Sequence, residues 1–164
     1  MIVIVMGVSG VGKTTIGTRL ASLLGWRFID ADEHHPAENV AKMAGGMPLT
    51  DDDRRPWLDR LNALLREKEA IGESAVLACS ALREAYRQRL TKGLRSARIV
   101  FLHGDENLIR ARLAQRQHRY MPASLLSSQL ATLEAPADAL RIVVSGTPET
   151  CVDAVASGLG LIRA

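Results

Sequence analysis

The sequence predicts an α/β fold with a parallel sheet covered by helices on both faces. Three observations carry this. Five short apolar runs of strand length recur along the 164 residues, at 2–6, 26–29, 75–79, 99–102 and 141–144. Segments with a helical apolar period lie between them, which implies parallel strands joined by crossovers. The first run also gives way to a glycine-rich stretch, GVSGVGKT at residues 7–14, before the first helical pattern begins.

The elements can be justified in order. Run 2–6 is wholly apolar, as a strand buried on both faces requires. Ile16, Leu20, Leu23 and Leu24 then share a face of a helix that starts at Lys13. Run 26–29 leads into Asp30, Ala31 and Asp32. Residues 33–54 form a polar insert, longer than a tight turn, of the kind that carries moving parts of a site. After Asp51, Asp52 and Asp53, the leucines at 58, 61, 64 and 65 mark a helix, and Pro56 is expected in its tolerant first turn. Run 75–79 ends in the small residues Cys79, Ser80 and Ala81, and Leu82, Tyr86 and Leu90 mark the next helix. Beyond run 99–102, Asp105 reads as the N-cap of a helix bearing Leu108, Ile109 and Leu113. A second basic insert covers 115–124. Pro122 is expected to open a helix with Leu125, Leu126, Gln129 and Leu133 on it, and run 141–144 closes the sheet. No repeat, low-complexity segment or linker interrupts the chain, so residues 1–164 are expected to form one domain.

Composition narrows the function classes. Hydrophobic residues make up 47% and charged residues 24%, the balance of a globular chain. The net charge of +3 comes from scattered arginines and aromatics are only 4%, which argues against a nucleic-acid partner. The opening apolar run is too short to span a bilayer and lacks the basic flank of a signal peptide, so no membrane partner and a cytoplasmic location are expected. Cys79 and Cys151 are too few for a disulfide framework, and adjacent His34 and His35 lack ligand spacing for zinc.

The chemistry begins at the loop. GVSGVGKT matches G-x-x-x-x-G-K-S/T at Gly7, Gly12, Lys13 and Thr14, with a strand before and a helix after. In such a P-loop the backbone of Gly7, Val8, Ser9, Gly10, Val11 and Gly12 wraps so that successive N–H groups cradle phosphate oxygens, and the helix beginning with Lys13, Thr14 and Thr15 adds its positive end. Lys13 is expected to reach the β- and γ-phosphates of ATP, and Thr14 to offer a hydroxyl to Mg²⁺. In FIDADEHH, residues two apart on extended chain face one way, so Asp30 and Asp32 are expected to project together from the ligand-binding edge of the sheet. One carboxylate suits Mg²⁺ through water, the other the proton of an attacking hydroxyl. The third run carries no acid where P-loop ATPases often hold metal, which favours a small-molecule kinase over a motor. Of the basic residues in LIRARLAQRQHRYMP, Arg112 and Arg116 share a helix face and suit a transferring phosphoryl group, whereas Arg110 reads as solvated. An arginine-bearing flap over the site would exclude water.

Three longer stretches carry a resemblance. DADEHHPAENVAKMAGGMPLTDDDRRPWLDRL, LACSALREAYRQRL and RYMPASLLSSQLATLEAP resemble the signature stretches of bacterial gluconokinases, and with the P-loop the match runs from residue 3 to about residue 136. The resemblance implies a three-layer P-loop kinase fold, similar to shikimate kinase and the nucleoside monophosphate kinases, with a five-stranded parallel sheet, a substrate-binding insert at about 33–54 and a lid at about 115–124. It implies ATP- and Mg²⁺-dependent phosphorylation of D-gluconate at its 6-hydroxyl, and by analogy a homodimer. Carried over by position, Lys13 and Thr14 serve the nucleotide and metal, joined by Asp30 at the metal. Asp32 binds the sugar acid and acts as base, and His35, Arg54, Cys79, Ser80, Ala81 and Arg83 line its pocket. Arg112 lies against the adenine, Arg116 faces the phosphates as a catalytic group, and the SGTPE segment with Thr147 and Pro148 sits by the base. The chain departs from the family at Val11 and Thr14, where serine is frequent, at Ala31, where glycine is usual, and at His34, where an apolar residue is common.

Read without the resemblance, the same residues suit any small anionic hydroxy acid. Arg54 and Arg83 can neutralise a carboxylate, while Asp32, His35 and Ser80 can bond hydroxyls. A shikimate-like or other small-molecule kinase is the nearest alternative, and an ATP-driven regulatory module the more distant one.

Overall fold

Alternate side chains of a strand leave it on opposite faces, and in the first strand both sets are buried. The structure is a computed structural model that describes residues 1–115 and 123–162. Its strands are β1 (Ile2–Met6), β2 (Arg27–Asp30), β3 (Ala75–Ala78), β4 (Ala97–His103) and β5 (Leu140–Val143). Its helices are α1 (Lys13–Leu24), α2 (Ala37–Ala44), α3 (Asp51–Ala70), α4 (Glu84–Thr91), α5 (Glu106–Ala114), α6 (Ala123–Thr132) and α7 (Pro148–Gly158), with a short 3-10 turn at Ala31–His34. Val3 and Val5 of β1 join an apolar cluster with Ile16 and Leu20 of α1 and Val152 and Val155 of α7. Ile2, Ile4 and Met6 join another with Leu58, Leu61 and Leu65 of α3 and Leu90 of α4. Helices therefore cover both faces, as the sequence predicts.

All four pairings are parallel and the strand order is β2–β3–β1–β4–β5. From β1 the chain steps outward to β2, returns to β3 and then crosses to β4 on the other side. The order thus reverses at β1, and the crevice beyond its C-terminal end is where an open α/β sheet takes ligands. Among the described residues no helix is long and apolar enough to cross a membrane.

Several local expectations are corrected. Leu23 is 52% exposed, because α1 needs only the stripe through Ile16 and Leu20 against the sheet. Pro56 is the sixth residue of α3, not part of its first turn. The helix starts earlier because Thr50 caps it: its hydroxyl accepts the Asp53 N–H at 3.1 Å, and the Asp53 carboxylate accepts the Thr50 N–H at 2.8 Å. Three aspartates then occupy the first turn, where the helix dipole favours them. Leu82 precedes α4, which begins after Arg83. The helices α2 and α7 are absent from the expectations, whereas Asp105 does cap α5, accepting from Asn107 and Leu108. Pro122 lies outside the described residues, and Leu133 follows the last residue of α6.

Candidate active site

The crevice is built from three strand ends. Where β1 stops, the chain must turn away beneath β4. Gly7 has φ of 148°, and a side chain there would meet the Leu102 carbonyl at 2.6 Å, so only glycine fits. Its N–H donates to the Ser80 carbonyl at 3.4 Å, which sets the loop beside the end of β3. Val8 and Val11 are buried, so these two contribute backbone while their side chains anchor the loop. Lys13 opens α1 and its Nζ donates to the Val8 carbonyl at 3.0 Å, folding the ammonium back over the loop. Thr14 and Thr15 are exposed in the first turn of α1, which contains no acid to offset its positive end.

Asp30 ends β2, and its Oδ1 accepts the Asp32 N–H at 3.0 Å. That bond draws the chain into the 3-10 turn, so Asp32 does not follow Asp30 along extended chain as its spacing suggests. The turn is held from outside by Trp57 of α3, whose indole N–H donates to the Ala31 carbonyl at 2.8 Å. Asp30 stands level with Ala78 in the β2–β3 register, and the Gly7 bond to Ser80 sets the phosphate loop at the same strand end, so the aspartate turn and the loop share one sheet edge. Burial pushes the Cys79 thiol at that end up to about 12. The thiol itself packs in the apolar core and stays neutral.

His35 stacks on Trp57, with ring centroids 4.2 Å apart. Asn39 Nδ2 donates to the Asp53 carbonyl at 3.0 Å and reaches His35 Nδ1 at 3.3 Å, so that nitrogen accepts and the other ring nitrogen carries the proton. Burial lowers the His35 pKa, against the opposing pull of Asp32, and Arg54 lowers it further. Next to it, Arg54 Nη1 donates to the Leu49 carbonyl at 2.8 Å and lies 3.7 Å from Asp51 Oδ1. Arg83 Nη1 lies 3.6 Å from the other oxygen of Asp51, and the Tyr86 hydroxyl donates to the first. The Tyr86 hydrogen bond, helped by both arginines, holds the Asp51 carboxyl below its usual range. The two arginines assigned to an acid substrate thus already converge on one carboxylate.

Ser80 and Ala81 complete the pocket wall. Ala81 has φ of 44°, a left-handed conformation uncommon outside glycine. It is held there by Arg87 of α4, 2% exposed, which donates to the carbonyls of Ala81 at 2.8 Å and Leu82 at 3.1 Å. On the opposite side of the loop, Arg112 donates to the Val144 carbonyl at 2.8 Å, next to the SGTPE segment. Thr147 caps α7 and Pro148 is its first residue, so both serve the helix start as well as any ligand. Arg116 lies outside the described residues. Arg110 pairs with Glu106 one turn earlier on α5 and donates to Ser127 Oγ of α6 at 2.9 Å, so it ties two helices rather than standing in solvent as its spacing suggests.

Asn39, Trp57, Tyr86, Arg87 and Gln129 have no place in the sequence-derived site, yet each holds one of its parts. Only Trp57 carries a signal that could have been used, since a tryptophan buried with its N–H needs a partner. Among the described residues no group of three histidine, cysteine or acidic side chains could hold a metal. The Thr14 hydroxyl and Asp30 carboxylate are hard oxygen donors of the kind Mg²⁺ takes alongside phosphate oxygens.

Comparison with known proteins identifies relatives over most of the chain. The AAA domain family model matches residues 2–136. A gluconokinase of Gluconobacter oxydans is 50% identical over 146 residues, covering 87% of this chain and 81% of that protein. The thermosensitive gluconokinase of Escherichia coli is 43% identical, covering 93% and 86%. The crystal structure of a gluconokinase from Sinorhizobium meliloti superposes with a TM-score of 0.84 at 40% identity, covering 97% of this chain and 91% of that one. At 43% and 50% identity over most of both chains, these relatives show that the chain belongs to the gluconokinase family.

Proposed function

We propose that the protein transfers the γ-phosphoryl group of ATP to the 6-hydroxyl of D-gluconate, forming 6-phospho-D-gluconate and ADP. The observation that carries this reading is the pairing of two half-sites on one sheet edge. Asp30 stands level with Ala78 at the end of β3, its carboxylate holds the Asp32 N–H, and the phosphate loop is bonded to Ser80 at that same end. Arg54 and Arg83 meet a carboxylate a short way along the insert. An acid that also bears hydroxyls fits that inventory of groups: its carboxylate replaces Asp51 between the arginines, and a hydroxyl points to Asp32.

In the reaction Asp32 takes the proton of the 6-hydroxyl as the oxygen bonds to the γ-phosphorus and the bond to ADP breaks. Lys13, and Arg116 from the lid, balance the charge spread over the transferring group. Neutral His35 offers its remaining N–H to a substrate hydroxyl, with Ser80 beside it; Cys79 and Ala81 shape the wall through their backbone. Mg²⁺, held by Thr14 and through water by Asp30, would neutralise phosphate charge when bound. Arg112, Thr147 and Pro148 flank the adenine. Residues 1–164 act as one kinase domain, with an insert at about 33–54 and a lid at about 115–124. Use of ATP suits residence in the cytoplasm, and family analogy favours a homodimer, which sedimentation would test.

The deciding assay is ADP release with Mg·ATP against D-gluconate, shikimate, AMP and other sugar acids in parallel. Turnover with D-gluconate alone is expected. Turnover only with another acceptor would keep the kinase and discard the substrate.

A further inference from the structure

Two helices rest on the crest of the phosphate loop. Gly10 leaves no space beside α5, since a side chain there would meet Leu113 at 2.6 Å. Next to it, Gln129 of α6 grips Ser9 at two points. Its Oε1 accepts the Ser9 N–H at 2.6 Å, and its Nε2 donates to Ser9 Oγ at 3.1 Å. The contact spans 120 residues of sequence and fixes both the amide orientation and one backbone N–H of the loop. Leu126, wholly buried, anchors the same helix in the apolar core.

Five residues on, this segment holds the other half-site. The Glu134 N–H donates to the Leu82 carbonyl at 2.8 Å, and the Glu134 carboxylate accepts the Glu84 N–H at 2.9 Å. The Glu134 carbonyl accepts from Arg87 at 2.8 Å, and another nitrogen of that guanidinium holds the left-handed Ala81. One short segment is thus bonded to the nucleotide loop at one end and to the acceptor turn at the other.

We infer that residues 129–134 are a brace that sets these two half-sites relative to each other, with Gln129 a positioning residue for the phosphate loop. Occupancy of the loop then steadies the acceptor turn, so nucleotide and acceptor bind with positive coupling, and by linkage each favours the other equally. The identity of the acceptor, and nothing else here, rests on the gluconokinase reading.

The test compares wild type with Gln129→Ala in the full chain. Calorimetry with Mg²⁺ and a non-hydrolysable ATP analogue should show binding weakened about tenfold, since two hydrogen bonds to the loop are lost. A change below about twofold, within the scatter of such bonds, would overturn the role of Gln129. In a double-mutant cycle Ser9→Ala should weaken binding in wild type and add little to Gln129→Ala; additive effects would refute direct contact. D-gluconate should bind wild type at least about fivefold tighter when the analogue is present. Gln129→Ala should remove most of that gain and leave the affinity of gluconate for nucleotide-free protein unchanged, while the two lost hydrogen bonds lower the melting temperature by only a few degrees. A merely structural role would weaken gluconate binding with and without nucleotide alike, and an equal gain in the two proteins would sink the brace. If wild type takes up no gluconate, the analogue titration still decides Gln129, and only the substrate reading falls.

Discussion

Replacing Arg87 with methionine keeps the aliphatic bulk and removes every donor of a buried guanidinium. In the structure that group bonds the carbonyls of Ala81, Leu82 and Glu134 at 2.8, 3.1 and 2.8 Å, and the Glu84 carboxylate at 2.8 Å. Glu84 is half exposed and rehydrates, so its ion pair contributes little. Glu134 also lies at the surface. The Leu82 carbonyl keeps the Glu134 N–H at 2.8 Å, so the buried Ala81 carbonyl is the one left unsatisfied, at a cost of about 1–3 kcal/mol. The middle of that range gives a loss of roughly 2 kcal/mol. For a chain of 164 residues this lowers the melting temperature by about 4–8 °C. Urea unfolding of wild type, Arg87→Met and Arg87→Lys measures it, the lysine recovering part because its ammonium reaches fewer carbonyls. A loss below about 1 kcal/mol for Arg87→Met would refute the reasoning, since the Ala81 carbonyl would then be satisfied without Arg87.

Three other outcomes are expected. Asp32→Asn should retain ATP binding while kcat with D-gluconate falls about 10²–10⁴-fold, and near-normal turnover would remove Asp32 as base. Trp57→Phe keeps the ring against His35 but loses the donor to buried Ala31, so stability should drop by about 1–3 kcal/mol and turnover should fall more than nucleotide affinity. His35 has its pKa lowered by burial, so below 6.5 the unfolded chain binds more protons than the native one. Stability should therefore decline as pH falls from about 7 through this range, no more steeply than about 1.4 kcal/mol per pH unit from this group, and His35→Gln should flatten the decline. Identical pH profiles for the two proteins would refute it.

The parts legible in the sequence are those with local causes. The apolar run 2–6 matches β1 residue for residue, and the ends of the other strands shift by at most two residues. Asp105 is visible as a cap because capping acts within one turn. Two signals are equally local yet lie outside the sequence expectations: Thr147 and Pro148 announce α7, and Thr50 with Asp53 moves the start of α3 ahead of Pro56. The spacing rule for Asp30 and Asp32 failed because it assumed extended chain, whereas the Asp30 side chain itself bends the backbone.

By itself, then, the sequence determined the phosphate loop, the parallel sheet and the family, since glycine placement, apolar period and long motifs act through near neighbours. Only the tertiary structure decided which side chains hold the site in shape. Gln129 meets Ser9 across 120 residues, Trp57 meets Ala31 across 26, and Arg87 meets Glu134 across 47. Such partners are chosen by the demand that buried polar groups be satisfied, and which groups are buried together is known only once the layers have packed.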